Sequence, residues 1–360
     1  MTTSERDKPS SRWPVAVLGA TGAVGQTFIR RLAAHPWFEI AELAASERSA
    51  GKRYADACRW LEGPMPREVA DLTVVNCDPS QVRSPIVFSA LDANVAGEME
   101  QAFARAGKLV LSNAKNHRMD RDVPLVIPEV NAPHLDLIEV QRRERKWSGA
   151  IVTNANCAAT VATMALAPLH ETFGVRQALV FTMQAVSGAG YPGVASLDIL
   201  GNVVPFISEE EGKIEREIPK MLGVLSDGAV VPAAIAVSAH ANRVPTEHGH
   251  MVCLSVALER PASPDEVLAA LRCWRGHADA RGLPSAPAQP IVVMDEPDRP
   301  QTRRDVWMGD GMTVTVGRVR PDPLFDIKLV ALGHNTVRGA AGGSVLNAEL
   351  LAARGLLDNA

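Results

Sequence analysis

The chain has 360 residues, 46% of them hydrophobic, and a formal net charge of −4 at pH 7. That length supports a large packed core and suggests two domains, and the lack of a basic excess argues against nucleic acid or an anionic membrane as partner. No apolar run approaches the ~18 residues of a spanning helix, and residues 1–12 read as a polar, disordered tail without the apolar core of a signal peptide.

The first element is a short buried strand at 15–18. Gly19-Ala20-Thr21-Gly22-Ala23-Val24-Gly25 follows and leads into an amphipathic helix at 26–34, with Phe28, Ile29 and Leu32 at helical spacing. Three glycines in this position suit a dinucleotide: the first permits a tight turn, the second lets backbone approach a pyrophosphate, and the third lets helix and strand pack closely. Gly19, Thr21, Gly22, Ala23 and Val24 are therefore expected to line the cofactor. A Walker loop is excluded because no Lys-Ser or Lys-Thr follows these glycines. A second strand at 39–45 ends in Ser46-Glu47-Arg48-Ser49-Ala50-Gly51-Lys52. Cations and hydroxyls at this point suit the 2′-phosphate of NADP, and a carboxylate suits the ribose of NAD. Ser46, Arg48 and Ser49 favour NADP. Glu47 dissents, and a solvated polar loop is the bland alternative.

Further strands at 72–75, 86–89 and 109–111, with a helix at 95–105, predict a doubly wound parallel sheet. The β-branched strand at 151–153 then halts at Asn154-Ala155-Asn156-Cys157, and small helix formers begin at Ala158. One cysteine thus sits at the first turn of a helix, where free N–H groups and the positive dipole end favour a thiolate. Cys157 is the candidate nucleophile; a buried structural cysteine is the alternative. The other four cysteines (Cys58, Cys77, Cys253, Cys273) are scattered and form no CxxC pair. That argues against a disulfide framework or zinc knuckle and for a reducing cytoplasm.

Beyond Cys157 the texture changes to longer alternating runs at 177–186, 251–258, 291–294 and 313–319, which predict a second domain with a mixed or antiparallel sheet. A strand at 329–332 precedes an Ala- and Leu-rich helix at 339–354, expected to pack back on the first domain. The expected division is 1–12 tail, 13–156 NADP-binding domain completed by 334–356, and 157–333 catalytic and dimerisation domain. The fold class is thus α/β, a Rossmann-type doubly wound domain followed by an α+β domain.

Taken together, GATGAVG, ASERSAGKRY, SNAKNHRM with VPLVIPEVN, TNANC, QAVSGAGYPG, ILGNVVPFI with EEEGK, NRVPTEHGH and GHNTVRGAAGGSVLNAE resemble aspartate-β-semialdehyde dehydrogenase of the archaeal and fungal-type branch. The resemblance runs from about residue 15 to residue 354. It implies reversible reductive dephosphorylation of β-aspartyl phosphate to aspartate semialdehyde with NADPH, in amino-acid biosynthesis. It also implies a homodimer or homotetramer. Carried over residue by residue, Cys157 matches the thioester-forming nucleophile, His250 the acid/base and Gln184 the glutamine that orients the acyl group. Arg243 matches the clamp on the substrate carboxylate, Glu210 and Lys213 the Glu-x-x-Lys substrate pair, and Asn113 and Arg118 the phosphate site. Ser187, Gly188, Asn335 and Thr336 match loops that hold the nicotinamide half.

Such chemistry needs a thiolate to attack the acyl phosphate and an imidazole to exchange protons with sulfur and oxygen. A carboxylate clamp and cations for the departing phosphate complete it. Bland alternatives stand beside these roles. Gln184 could only cap a strand, and the charged run 209–220 could be a solvated helix face with Glu210 and Lys213 out of register. His248 and His250 would share one side of a strand, a spacing that also suits a metal, but no third ligand is evident. The family's Gly-His-Thr is here Gly249-His250-Met251, and Gly212 interrupts the acidic run before Lys213. These departures leave open a related malonyl- or succinyl-CoA reductase. A catalytically silent Rossmann regulator is the remote alternative.

Overall fold

The computed structural model describes residues 12–357. The expected tail, 1–12, lies outside the described residues apart from Arg12. Seven strands, β1 (Trp13–Leu18), β2 (Phe38–Ala45), β3 (Val75–Asn76), β4 (Ile86–Ser89), β5 (Leu109–Ser112), β6 (Leu125–Val126) and β7 (Ala150–Asn154), form one sheet in the order β3-β2-β1-β4-β5-β7-β6. Every pairing in it is parallel. Strand order reverses between β1 and β4, the switch point where open α/β sheets bind ligands. Gly19 sits there. Its φ is +70°, and a Cβ on it would come within 2.6 Å of the Ala90 carbonyl just beyond β4. A Cβ on Gly25 would lie 2.3 Å from the Gly19 carbonyl, so helix α1 (Ala23–Leu32) can close on its strand only with glycine at that position.

One expected strand is shorter than its apolar run suggests. Of residues 72–75, only Val75 joins the sheet. The Leu72 carbonyl instead accepts from the Tyr54 N–H, and Val74 accepts from Gly51 and donates to Lys52, so the loop after β2 claims these groups first.

Helices α2 (Ala93–Arg105) and α3 (Leu137–Arg145) lie between strands of the first sheet, and after β7 the chain enters α4 (Cys157–Phe173) and later α5 (Glu210–Met221), which belong to the second layer. The second sheet holds β8 (Val175–Gln184), β11 (Ala236–Arg243), β12 (His250–Leu258), β13 (Ile291–Val293), β14 (Val314–Pro321) and β15 (Ile327–Gly333), in the order β11-β8-β12-β15-β14-β13. A separate hairpin, β9 (Val224–Ser226) with β10 (Ala229–Val231), precedes β11. The β11–β8 and β13–β14 pairings are parallel and the rest antiparallel, so the sheet is mixed. Alternation along β8 buries Ala178, Val180, Thr182 and Gln184 and turns Leu179, Phe181 and Met183 outward. Helix α4 is apolar nearly all round and packs on the buried face, with Val161, Ala165 and Leu169 in one core with Val180, Val252 and Leu254. Helix α6 (Pro264–Cys273) starts at a capping box in which Ser263 and Glu266 satisfy each other's backbone N–H.

The C-terminal segment begins with a π-turn, Val337–Ala341, and only then forms α7 (Gly342–Ala353). Val345, Leu346, Leu350 and Leu351 pack with Val15, Phe28 and Val152, so this helix completes the first domain's core. Among the described residues no helix is long and apolar enough to cross a membrane.

A buried ion pair fastens this return: both Arg338 Nη atoms donate to Glu129 at 2.7 Å, and both side chains are shielded from solvent. Removing one partner would strand a buried charge, at a cost of about 3–5 kcal/mol. Glu129→Gln should therefore lower the urea midpoint, at an unchanged slope, by that free energy divided by the slope; an unchanged midpoint would show the pair to be dispensable.

Candidate active site

The Asn-Ala-Asn-Cys corner joins β7 directly to α4. Asn156 caps the helix, its Oδ1 accepting from the Ala158 and Ala159 N–H groups at 3.0 Å each. Asn154 Nδ2 donates to Asn113 Oδ1 at 3.1 Å and to the carbonyls of Gly339 and Ala340. A Cβ on Gly339 would come within 2.6 Å of Cys157 Cβ, so the returning C-terminal segment can reach the nucleophile corner only as glycine. Cys157 keeps a partly open face.

Gln184 ends β8, Arg243 ends the parallel β11, and His250 opens the antiparallel β12. Gln184 and Arg243 are register partners. All three therefore emerge at one edge of the second sheet, on the face covered by α4. His250 Nε2 lies 3.2 Å from Cys157 Sγ, and the Ala185 N–H reaches its Nδ1 at 3.2 Å. Arg243 Nη1 donates to the Ala185 carbonyl at 2.7 Å. A Cβ on Gly188 would stand 2.9 Å from Arg243 Nη1 and 3.0 Å from His250 Cε1, which places the Ser187-Gly188 loop over this trio.

Burial governs the titration of the pair. Loss of solvent, and then the Glu210 carboxylate, push the Cys157 thiol up to about 12; Arg118, Arg243 and the Ala158 N–H pull the other way and lose. Burial and then the Arg243 cation push the His250 imidazole down to about 3. The sequence favours a thiolate at the helix N-terminus; the folded site instead holds a neutral thiol beside a neutral imidazole able to take its proton, because desolvation outweighs the helix end. Alkylation of Cys157 by iodoacetamide should therefore rise about tenfold per pH unit from pH 7 to 9, since only the thiolate reacts. A rate already level across that range would mean a thiolate exists at rest.

The charged run at 210–221 is not a solvated face. Glu210, Glu217 and Lys220 are buried on one stripe of α5. Glu210 Oε1 accepts from Asn156 Nδ2 at 2.8 Å and from Gln184 Nε2 at 3.1 Å, and Oε2 faces Lys213 Nζ at 3.4 Å. Gln184 is thus tied into the cluster and does more than end a strand. Arg118 Nη1 donates to Glu217 at 2.9 Å, and its Nη2 to the Asn113 carbonyl at 2.8 Å. Lys115, Arg118, Lys213 and Arg216 line a small cleft of about 70 Å³ together with Glu209 and Glu217. Lys115, Arg216 and Glu217 escaped sequence reading. Glu217 carries a usable signal, since it stands seven residues after Glu210 and so two turns along the same stripe.

A larger cleft of about 490 Å³ opens between the two sheets, lined by Ala23, Ser187, Tyr191, His248, Trp307 and Thr336 among others. Ser187 Oγ accepts from Asn335 Nδ2 at 2.9 Å, and Asn335 Oδ1 accepts from the Gly249 N–H at 2.9 Å, so the 187–188 and 335–336 loops are one unit. Thr21 lies in the turn before α1, and Ala23 and Val24 are the first residues of that helix, whose cap, Gly22, lays no side chain over its N-terminus. These residues fit a dinucleotide, because the α1 N-terminus carries no side-chain cap and a Cβ on Gly22 would meet only the Gly19 carbonyl, at 3.4 Å, which leaves its backbone N–H groups open to a pyrophosphate. Ser46 and Ser49 form a turn at the end of β2, with Glu47 and Arg48 both exposed.

His248 and His250 do not share a strand face. Gly249, at φ +97°, precedes β12 and turns the chain. His248 faces Ser187 Oγ and stacks on His334 at 4.9 Å, away from Cys157. Among the described residues no group of three His, Cys, Asp or Glu side chains is arranged to hold a metal.

Residues 14–138 match the semialdehyde dehydrogenase NAD-binding domain family, and residues 166–338 match the semialdehyde dehydrogenase dimerisation domain family. The aspartate-semialdehyde dehydrogenase of Methanothermobacter thermautotrophicus is 52% identical over 94% of this chain and 98% of its own. The chain belongs to the aspartate-semialdehyde dehydrogenase family. The enzyme of that name from Schizosaccharomyces pombe is 48% identical over 95% of this chain and 99% of its own. The crystal structure of the Candida albicans enzyme with NADP superimposes with a TM-score of 0.89 at 44% identity, covering 96% of this chain and 99% of that one. Two domains of one enzyme family thus fall on the two sheets described above.

Proposed function

We propose that this chain is an NADP-dependent aspartate-β-semialdehyde dehydrogenase that interconverts β-aspartyl phosphate and aspartate semialdehyde through a thioester on Cys157. The Cys157–His250 pair at 3.2 Å, with Arg243 and His250 under the same Gly188 loop and the Arg118 and Arg243 cations both acting on the thiol, carries the reading. In the reductive direction Cys157 gives its proton to His250 and its sulfur attacks the acyl carbon; the S–C bond forms as the C–O bond to phosphate breaks. Arg118, Lys213 and Asn113 take the departing phosphate. Arg243 grips the unreacting α-carboxylate, Glu210 the amino group, and Gln184 orients the acyl group. When bound, NADPH would supply the hydride that takes the thioester to the aldehyde. Gly19, Thr21, Gly22, Ala23 and Val24 would cradle its pyrophosphate, and Ser187, Gly188, Asn335 and Thr336 would hold its nicotinamide end.

The four-cation cleft of about 70 Å³ favours a compact phosphate leaving group over the bulky thiol of an acyl-CoA substrate. Neither departure from the family pattern touches the thiol pair. A side chain at Gly212 would meet only Arg216, no closer than 3.8 Å, and Met251 lies on the outward face of β12. Phosphate-dependent NADPH formation from aspartate semialdehyde, run beside NADPH oxidation by malonyl-CoA, tests this reading. Activity with malonyl-CoA alone would move the chain to the acyl-CoA reductases.

Arg48, with Ser46 and Ser49, selects NADP in this reading. One charge-assisted contact is worth about 1.5–3 kcal/mol, or roughly ten- to a hundredfold. Arg48→Ala should raise the KM for NADP by that factor and leave the KM for NAD nearly unchanged. A parent enzyme that already prefers NAD would assign the choice to Glu47.

The outward side chains of the second sheet, Leu179, Phe181 and Met183 beside Val203 and Val244, form an open apolar surface in the segment matching the dimerisation domain. We read it as the contact of a homodimer, or of the dimers within a homotetramer. The five cysteines are all free, which fits the reducing cytoplasm.

A further inference from the structure

Glu217 lies on α5 two turns beyond Glu210, and it is 2% exposed. It borders the cation cleft, and the chemistry above gives it no part. Its two carboxylate oxygens nonetheless meet the two halves of the site. One accepts from Arg118 Nη1 at 2.9 Å. The other accepts from the backbone N–H of Asn156, the residue before Cys157, at 2.6 Å. Three residues on, Lys220 Nζ donates to the carbonyls of Arg118, Asp120 and Val123 at 2.7, 2.8 and 3.0 Å. A single helix thus holds the loop that carries Arg118, and a single carboxylate spans from that arginine to the nucleophile's cap.

We propose that Glu217 is a positioning residue that fixes the separation between the phosphate-gripping guanidinium of Arg118 and the thiol of Cys157. This rests on the phosphate-dependent reading given above. The charge of Glu217 alone would oppose that function, since a carboxylate beside Arg118 repels an incoming phosphate dianion. A buried anion kept in that place must contribute through geometry. Attack on the acyl carbon needs sulfur about 3–3.5 Å away and above the carbonyl plane while the leaving phosphate is held in its own site, and misplacement by about 1 Å can cost about a hundredfold in rate. A bridge of two short charge-assisted bonds sets that distance more tightly than packing does.

Two variants of the full-length chain separate position from charge. Glu217→Asp keeps the charge and falls one methylene short of spanning both donors; Glu217→Gln keeps the length and cannot accept from both. The readouts are kcat and the KM values for phosphate and NADP in the oxidative direction, with Tm alongside. A positioning role predicts that both variants lose about tenfold or more in kcat and raise the phosphate KM, with the NADP KM within about twofold of the parent. If Glu217 only supplied charge, Asp would behave as the parent and Gln would lower the phosphate KM; either result overturns the proposal. A fall in Tm with unchanged kinetics, or failure of both variants to fold, would make the residue purely structural and overturn it as well. A parent enzyme without any phosphate dependence would remove the functional reading beneath it, and that outcome is visible before either variant is made.

Discussion

Cys157→Ser is expected to bind NADP as the parent does and to lose roughly 10⁴-fold or more of its turnover, the scale on which removing a covalent nucleophile acts. Serine keeps the size and hydrogen-bonding character of the side chain, so the cap by Asn156 and the close contact with Gly339 survive. What disappears is a sulfur that is both more acidic and more nucleophilic than the oxygen replacing it. The surroundings already press the thiol up to about 12, and a hydroxyl in the same place would ionise far less readily. Isothermal titration with NADP and a steady-state assay on one preparation separate the two effects. Retained turnover with intact NADP binding would return Cys157 to the buried structural cysteines.

His250→Asn is expected to cost about 10²–10⁴-fold in kcat, the usual contribution of a positioned acid–base group, with little change in KM for NADP. The imidazole is the group placed to take the thiol proton, at 3.2 Å, and burial together with Arg243 keeps it unprotonated at rest. Asparagine can still fill the space at the start of β12 without exchanging protons. The loss should shrink as pH rises, because at alkaline pH the thiol surrenders its proton to solvent. An equal loss from pH 7 to 10 would assign His250 an orienting role only.

The sequence exposed those parts of the site where a local signal and a chemical role coincide. A β-branched strand broken by Asn-Ala-Asn before a cysteine announces a corner, and three glycines at the first strand–helix junction announce a cradle. The C-terminal return was legible from its Ala- and Leu-rich run, although the π-turn at Val337–Ala341 delays the helix by three residues. Strand β11 was not legible. Ala236, Ala239 and Ala241 alternate too weakly with their neighbours to mark a strand, yet β11 carries Arg243 and lies parallel to β8. Helix α6 did carry a signal, the Ser263–Glu266 capping box. Glu217 and Lys220 were hidden for a different reason: a run of Glu, Lys and Arg has the composition of a solvated helix. Only tertiary packing shows that its inner stripe is a polar network buried between the two sheets. The protonation of Cys157 belongs to the same class, because a helix end is local and desolvation is not.

The account rests on an acyl group carried by Cys157, and trapping that group is the most direct measurement of it. Aspartate semialdehyde and NADP mixed with the enzyme in the absence of phosphate should give a burst of one NADPH per site. Intact and peptide mass spectrometry should then find an aspartyl adduct on the peptide containing Cys157, discharged when phosphate is added. A phosphate-sensitive adduct on any other residue, or steady turnover with no adduct at all, would contradict it.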